Sequence, residues 1–268
     1  MPIHPTAIVD RRADIDASAE IGPYVVIDGP VRIGSRTRVL SHVTIAGDTV
    51  LGADNVLYPG VHVGHEPQDL SYRGAPTRVR IGDRNVLREG VVVHRATQPD
   101  GETTIGSDTF LMSNAHVAHE CRVGDHVILA SGALLGGHVQ VGARAFISGN
   151  CVVHQFVRVG RLAIMRGLSR TSRDVPPFAL LDHTHEVRGI NRVGLRRAGL
   201  EPVTIRAIAR AFRLLFGARV NLSQAAARVE QELGGVPEVA ELLAFIRASK
   251  RGVAMGPAAG AARDAADD

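Results

Sequence analysis

At 268 residues and 28.5 kDa, the chain is long enough for one large domain or two of ordinary size. Hydrophobic residues at 45% and charged residues at 22% exclude a predominantly disordered chain, and aromatics at 4%, with no tryptophan, leave a core of Val, Ile, Leu and Ala rather than an aromatic-rich β-sandwich. Two cysteines, Cys121 and Cys151, exclude a disulfide scaffold and a Cys-pair metal site, and the net charge of +4 is mild.

The start, Met1-Pro2-Ile3-His4, has no basic residues followed by an apolar run, and the longest nearly uncharged apolar stretch, 127–137, is too short to span a bilayer. These features predict a cytoplasmic protein with no membrane span. From Ile3 an aliphatic residue recurs at every sixth position through Val63, returns at Ile81, Leu87 and Val93, and runs again from Ile105 to Met165. The next residue is often Gly, as at Gly34, Gly82, Gly106 and Gly142. A period of six keeps no face of a helix buried and does not alternate like a flat strand. It fits a short strand plus a tight turn, with Gly where the turn needs a positive φ or a close backbone. Three such sides close one triangular coil of eighteen residues, and coils stacked at ~4.8 Å share an aliphatic column. The predicted fold is mainly β, a parallel β-helix of hexapeptide repeats over 1–172.

The repeat breaks at 64–80 and 94–104, two polar segments read as loops extruded from the coil, where binding residues concentrate. After Asp174-Val175-Pro176-Pro177 the pattern turns helical, giving a C-terminal α-helical domain over 173–251. Helices are predicted at Pro202–Phe216, Leu222–Leu233 and Val236–Arg251, and the Ala- and Gly-rich tail 252–268 is expected to be disordered. Between Arg158 and Arg219 thirteen Arg meet four acids, Asp174, Asp182, Glu186 and Glu201, a surface suited to an acidic or phosphate-bearing partner. Nucleic acid is not expected as a partner. A three-sided prism with few charges on many outward positions is expected to pack as a symmetric homotrimer.

Val117, Leu135 and Val153 lie eighteen residues apart and stack on adjacent coils. Two residues after each come His119, Gly137 and Gln155, then Glu120, His138 and Phe156, with His116 and His154 flanking the column. A metal centre needs a third ligand beside His116 and His119, and none is in register, so no metal is expected. A general base needs one histidine near its ordinary pKa, and a glycine exposes a backbone N–H to a developing oxyanion. Together they suit acyl transfer from a thioester to a hydroxyl.

Further segments make a resemblance specific: Gln68-Asp69-Leu70, Gly74 to Val79, Ile81 to Asn85, His94-Arg95, Asn114 to Cys121, Gly137-His138-Val139, Val153 to Phe156, Asp174 to Pro177, and Asn191 with Gly194 to Arg197. Up to about residue 250 the chain resembles the acyl-[acyl-carrier-protein]–UDP-N-acetylglucosamine O-acyltransferases, hexapeptide-repeat enzymes that begin lipid A synthesis. The resemblance implies a left-handed β-helix assembled as a homotrimer with sites between subunits. It implies His119 as general base on the sugar 3-hydroxyl and Gly137 as N–H donor to the thioester oxygen. It places Gln68, Asp69, His94, His116, His138, His154, Gln155, Asn191 and Arg197 at substrate-contacting positions and Gly167, with Ile164, at the acyl-chain pocket. It implies no cofactor beyond the phosphopantetheine thioester of acyl carrier protein, an acidic partner for the Arg-rich stretch. The chain departs from the family pattern at Ser71, where Lys is usual, at Ala198, where a second Arg is usual, and at Arg166 and Arg170 in a Gly-rich stretch. The competing readings are a hexapeptide acyltransferase using acyl-coenzyme A or another sugar nucleotide, and a β-helical scaffold without activity, which would not need the histidine column.

Overall fold

A computed structural model of the chain describes residues 3–217 and 221–256. Short parallel strands form three sheets of nine, eight and ten strands, which begin at Ile8–Val9, Asp14–Ile15 and Glu20–Ile21 respectively, and successive strands of the chain visit the three in turn. This is the parallel β-helix expected from the repeat, with the left hand that the resemblance implied. From Ile21 to Met165 every predicted inward aliphatic is at most 3% exposed. Ile3, Val9 and Ile15 are only partly buried, because no coil covers them on the N-terminal side. Val117, Leu135 and Val153 pair in one register, so the eighteen-residue column is real.

The glycines after the aliphatic positions serve close approach rather than positive φ. A Cβ on Gly34 would meet the backbone of Gly52 at 2.6 Å, and one on Gly142 would meet Arg161 N at 2.5 Å. Most left-handed turn positions belong to residues with side chains, among them Asp54, Arg84, Asn114, Glu120, His138 and Phe156, with Gly at 60, 90 and 132. Asn and Asp tolerate that region by bonding their own backbone.

Both extruded segments are shorter than expected. Strands His62–His65 and Arg78–Ile81 leave 66–77 outside the ladder, and strands Val92–His94 and Glu102–Ile105 leave 95–101. The four-residue strands Asp48–Leu51, Arg78–Ile81 and Glu102–Ile105 pair along their whole length, which draws the loop ends into the sheet.

The coil also continues past the predicted boundary at 172. Ala179–Asp182 adds in parallel to Ile164–Met165, and Glu186–Ile190 returns antiparallel as a hairpin. Four helices follow: α1 (Arg192–Arg197), α2 (Pro202–Phe216), α3 (Leu222–Leu233) and α4 (Pro237–Arg247). α2 and α3 match the predicted spans, and α2 buries Ile205, Ile208, Phe212 and Leu215 as its periodicity requires. The expectation of a disordered tail fails over its first residues: Val253 bridges to Asp174 and Met255 to Glu186, so the chain returns to the sheet edge. Positions 257–268 lie outside the described residues.

Arg158 and Arg161, read from the sequence as part of the basic surface, are tied down. Arg158 donates to Asp174, whose side chain is 2% exposed, and lies over the Phe245 ring; Arg161 pairs with Glu241 and lies over Phe178. Both fasten α4 to the last coils. The local charge count missed this because Glu241 lies outside the counted window.

Candidate active site

His119, Gly137 and Gln155 occupy successive coils on one edge of the prism, after the strands His116–Val117, Leu134–Leu135 and Val152–Val153. The His119 ring covers Gly137: a Cβ there would meet Nε2 of His119 at 2.5 Å. Gly137 therefore leaves the space that this position of the His119 ring needs. Its N–H donates to no acceptor among the described residues. That is ordinary for this turn position, since the N–H groups of His119 and Gln155 are equally free. What distinguishes Gly137 is the imidazole standing over it.

Sequence reasoning placed Glu120 on the column without giving it a role, and the structure gives it one. Its Oε1 accepts from the backbone N–H groups of Thr97 (2.6 Å) and Gln98 (2.9 Å) in the second extruded loop, while Oε2 bonds Nδ1 of His119. A carboxylate only accepts, so Nδ1 carries the imidazole proton and Nε2 keeps the lone pair. That nitrogen lies 3.7 Å from Asp69 Oδ2 on the first extruded loop. The Ser71 N–H and hydroxyl hold Asp69 below the usual carboxylate range, aided by the nearby His119 and His138, so Asp69 is an anion at neutral pH. His119 is thus gripped at one nitrogen and open at the other, with its side chain 12% exposed.

The neighbouring histidines are held neutral. His138 stacks on Phe156 at 4.5 Å and stands edge-on to His119 at 5.3 Å; burial lowers its pKa against the pull of Glu120. The ring of His94, one coil N-terminal of His119, lies 5.3 Å from that of His116, which shares the coil of His119. Burial, reinforced by His94 and His119, lowers His116 to about 4. Burial also lowers His94, whose Nδ1 donates to Glu66 O at 2.6 Å. Arg95 bonds Gly64 O, Glu66 and the Tyr72 hydroxyl, which fixes the first loop beside the column.

The other predicted residues make no hydrogen bond to His119 among the described residues. Gln68 and Gln155 are exposed, and His154 Nδ1 sits 3.4 Å from Arg251 Nη2. Asn191 caps α1, accepting from Gly194 N and donating to Leu162 O, so its amide is largely committed to the fold. Arg197 is exposed and has no ion-pair partner among the described residues. Ile164 opens a strand of the ten-stranded sheet and Gly167 follows it, so both belong to a different part of the prism from His119. Among the described residues no third ligand joins His116 and His119, but a trio the sequence did not single out, His119, Glu120 and His138, offers atoms within 4.8 Å of one another.

Comparison with known proteins is decisive. Residues 174–254 match the family described as UDP N-acetylglucosamine O-acyltransferase, domain 2, and residues 102–137 match the bacterial transferase hexapeptide (six repeats) family. An acyl-[acyl-carrier-protein]–UDP-N-acetylglucosamine O-acyltransferase from Thermodesulfovibrio yellowstonii is 43% identical over 253 residues, 94% of this chain and 98% of the relative. One from Syntrophobacter fumaroxidans is 44% identical over 256 residues, 94% and 99% of the two chains. The chain belongs to this O-acyltransferase family. Solved UDP-N-acetylglucosamine acyltransferases agree: that of Francisella novicida has a TM-score of 0.92 at 32% identity, covering 95% of this chain and 94% of its own. That of Arabidopsis has a TM-score of 0.86 at 30% identity, covering 94% and 99%. The family membership removes the reading as an inactive scaffold.

Proposed function

We infer that the site transfers a 3-hydroxyacyl or related acyl chain from acyl carrier protein to the 3-hydroxyl of UDP-N-acetylglucosamine, the first step of lipid A synthesis. The observation that carries the mechanism is the clamped imidazole of His119 over the free N–H of Gly137. Nε2 takes the hydroxyl proton as the sugar oxygen attacks the thioester carbonyl. The Gly137 N–H hydrogen-bonds the oxyanion of the tetrahedral intermediate. Collapse breaks the carbon–sulfur bond, and the imidazolium returns its proton to the departing thiolate, leaving ester and free thiol. Glu120 holds the tautomer and stabilises the imidazolium, as a buried carboxylate does beside a catalytic histidine. No cofactor enters these steps. Neutral His116 and His138 offer N–H groups to sugar and phosphate without repelling the imidazolium, His94, whose one N–H is committed to Glu66 O, backs His116, and Gln68, Asp69, His154 and Gln155 line the same edge.

The acyl chain and the nucleotide need a second edge. Exposed Leu134, Val152 and Phe156 beside the column favour burial against another copy. A homotrimer would bring Ile164 and Gly167 of one copy, or Asn191 and Arg197, toward His119 of the next. The absence from the described residues of any helix long and apolar enough to cross a membrane accords with a cytoplasmic enzyme. For the carrier protein, the exposed Arg192, Arg196, Arg206 and Arg213 replace Arg158 and Arg161 as docking residues; none has an ion-pair partner among the described residues.

The test offers carrier-protein thioesters of several chain lengths, an acyl-pantetheine and an acyl-coenzyme A with UDP-N-acetylglucosamine, with product read by mass spectrometry. Exposed charges are screened over ~8 Å at physiological ionic strength. Hence kcat/KM for the carrier-protein donor falls steeply with salt while the pantetheine donor barely responds. Equal salt responses, or equal use of coenzyme A thioesters, would move a coenzyme A-dependent acyltransferase to the front.

A further inference from the structure

We propose that His119, Glu120 and His138 form a binding site for a divalent d-block cation, Zn²⁺ above all, and that its occupancy switches the enzyme off. Two imidazoles and a carboxylate are the donor set of an open zinc site, with a fourth position left for water. The three donor atoms lie within 4.8 Å of one another, and His138 Nε2 is 3.7 Å from Glu120 Oε2. Zinc holds N and O ligands at about 2.0–2.2 Å, so tetrahedral neighbours stand about 3.4 Å apart. The cluster therefore needs to contract by at most about 1.4 Å at its widest side, given that ligand spacing. His138 has the freedom for that, with its side chain 32% exposed at a corner.

The side chains are also supported from outside, as metal ligands usually are. Two backbone N–H groups, of Thr97 and Gln98, hold Glu120 by its other oxygen. Phe156 stacks on His138, and the His119 ring rests on Gly137.

Exclusion of catalysis follows from imidazole chemistry and rests on the reading of His119 as base. A neutral imidazole has one lone pair. A metal on Nε2 fills the position that would take the hydroxyl proton. A metal on Nδ1 displaces the bond to Glu120 and moves the proton to Nε2. Either way no base remains.

The test separates binding from turnover. Zn²⁺ is titrated calorimetrically into the intact, substrate-free protein, and Co²⁺ is followed by its tetrahedral visible absorption. One metal per chain is expected. Its Kd should rise at least about tenfold in Glu120→Gln and in His138→Gln, the scale on which metal sites respond to lost support. It should not change in His62→Gln, which alters the separate His62–His65 pair. Should Glu120→Gln melt early, His138→Gln, at a solvent-facing corner, decides alone. In the wild type, turnover should fall in step with occupancy and return with a chelator. Unchanged affinity in His138→Gln overturns the site. Full turnover at saturating metal overturns the switch. Failure of acyl transfer itself would leave the metal titration standing, so the two readings fail separately.

Discussion

Two stretches of the same solenoid behave differently. From Ile105 to Thr171 each coil takes eighteen residues, as the pairing of Ser107 with Asp125 shows, whereas the two coils before it take thirty and twenty-four, as Asn55 with Asn85 and Asn85 with Thr109 show. The regular coils supply groups whose spacing is fixed by the fold: His119, Gly137, His138 and Gln155. The enlarged coils supply what no fixed spacing could deliver. Asp69 comes in opposite Nε2 of His119, Thr97 and Gln98 come in behind Glu120, and His94 comes in against His116. A rigid ladder sets the proposed base and the proposed oxyanion donor, and two inserts reach in beside them.

The hardest blow to the regular stretch is Leu135→Asp. Leu135 is fully buried in the shared column, and an unpaired carboxylate there costs several kcal/mol. Loss of soluble, cooperatively melting protein is expected by circular dichroism and gel filtration; an unchanged Tm would contradict the register of the coils.

Next comes His119→Ala, which removes a side chain at a corner and should leave Tm nearly unchanged. Loss of a general base removes about 10²–10⁴-fold from the rate. Glu120→Gln, which spoils the clamp from the second loop without touching the base itself, should lower kcat by less than His119→Ala and leave KM for the sugar nucleotide close to normal. Equal kcat losses would mean that regular coil and insert contribute alike. Near-normal kcat in His119→Ala would remove the base from the mechanism. Gly137→Ala should sit between them: the added methyl would meet His119 Nε2 at 2.5 Å, so the ring has to turn away from its clamp. The expected signature is a kcat loss with an unchanged Tm.

The same contrast decides what the sequence could reveal. The coils were legible because one inward residue per side recurs without exception, and α2 and α3 because Pro202 opens one and Gly234 follows the other. The His119–Gly137–Gln155 column followed from the step of eighteen. The hairpin over 179–190 was not legible, since its left-handed turn positions are His183 and His185 rather than Gly or Asn. α1 has six residues around Gly194, too short for a period. Val253 and Met255 sit in a composition that reads as disorder, yet they pair with an open sheet edge that only the fold creates. Glu120 was visible on the column, but its role depends on backbone groups twenty-two and twenty-three residues away in a loop whose path no spacing encodes.

The smallest effect expected is a pH dependence of stability that originates where the two stretches meet. His116 stands on the regular ladder and His94 on the enlarged coil, and their mutual burial holds both imidazoles neutral. The folded His116 titrates at about 4 against an ordinary 6.5. As pH falls below 6.5 the unfolded chain takes up a proton that the folded chain refuses, so stability declines through the window from 6.5 to 4 and is unaffected by this group above it. One such group sets a slope of at most about 1.4 kcal/mol per pH unit, less here because the ring is only half-buried. Melting curves from pH 7.5 to 4.5 should show a falling Tm whose slope shrinks in His116→Gln. A residual slope should persist there, since His65, His94 and His138 are also lowered by burial. A wild-type Tm flat over this range, or an identical slope in His116→Gln, would mean that the enlarged coil does not press on the ladder at this point.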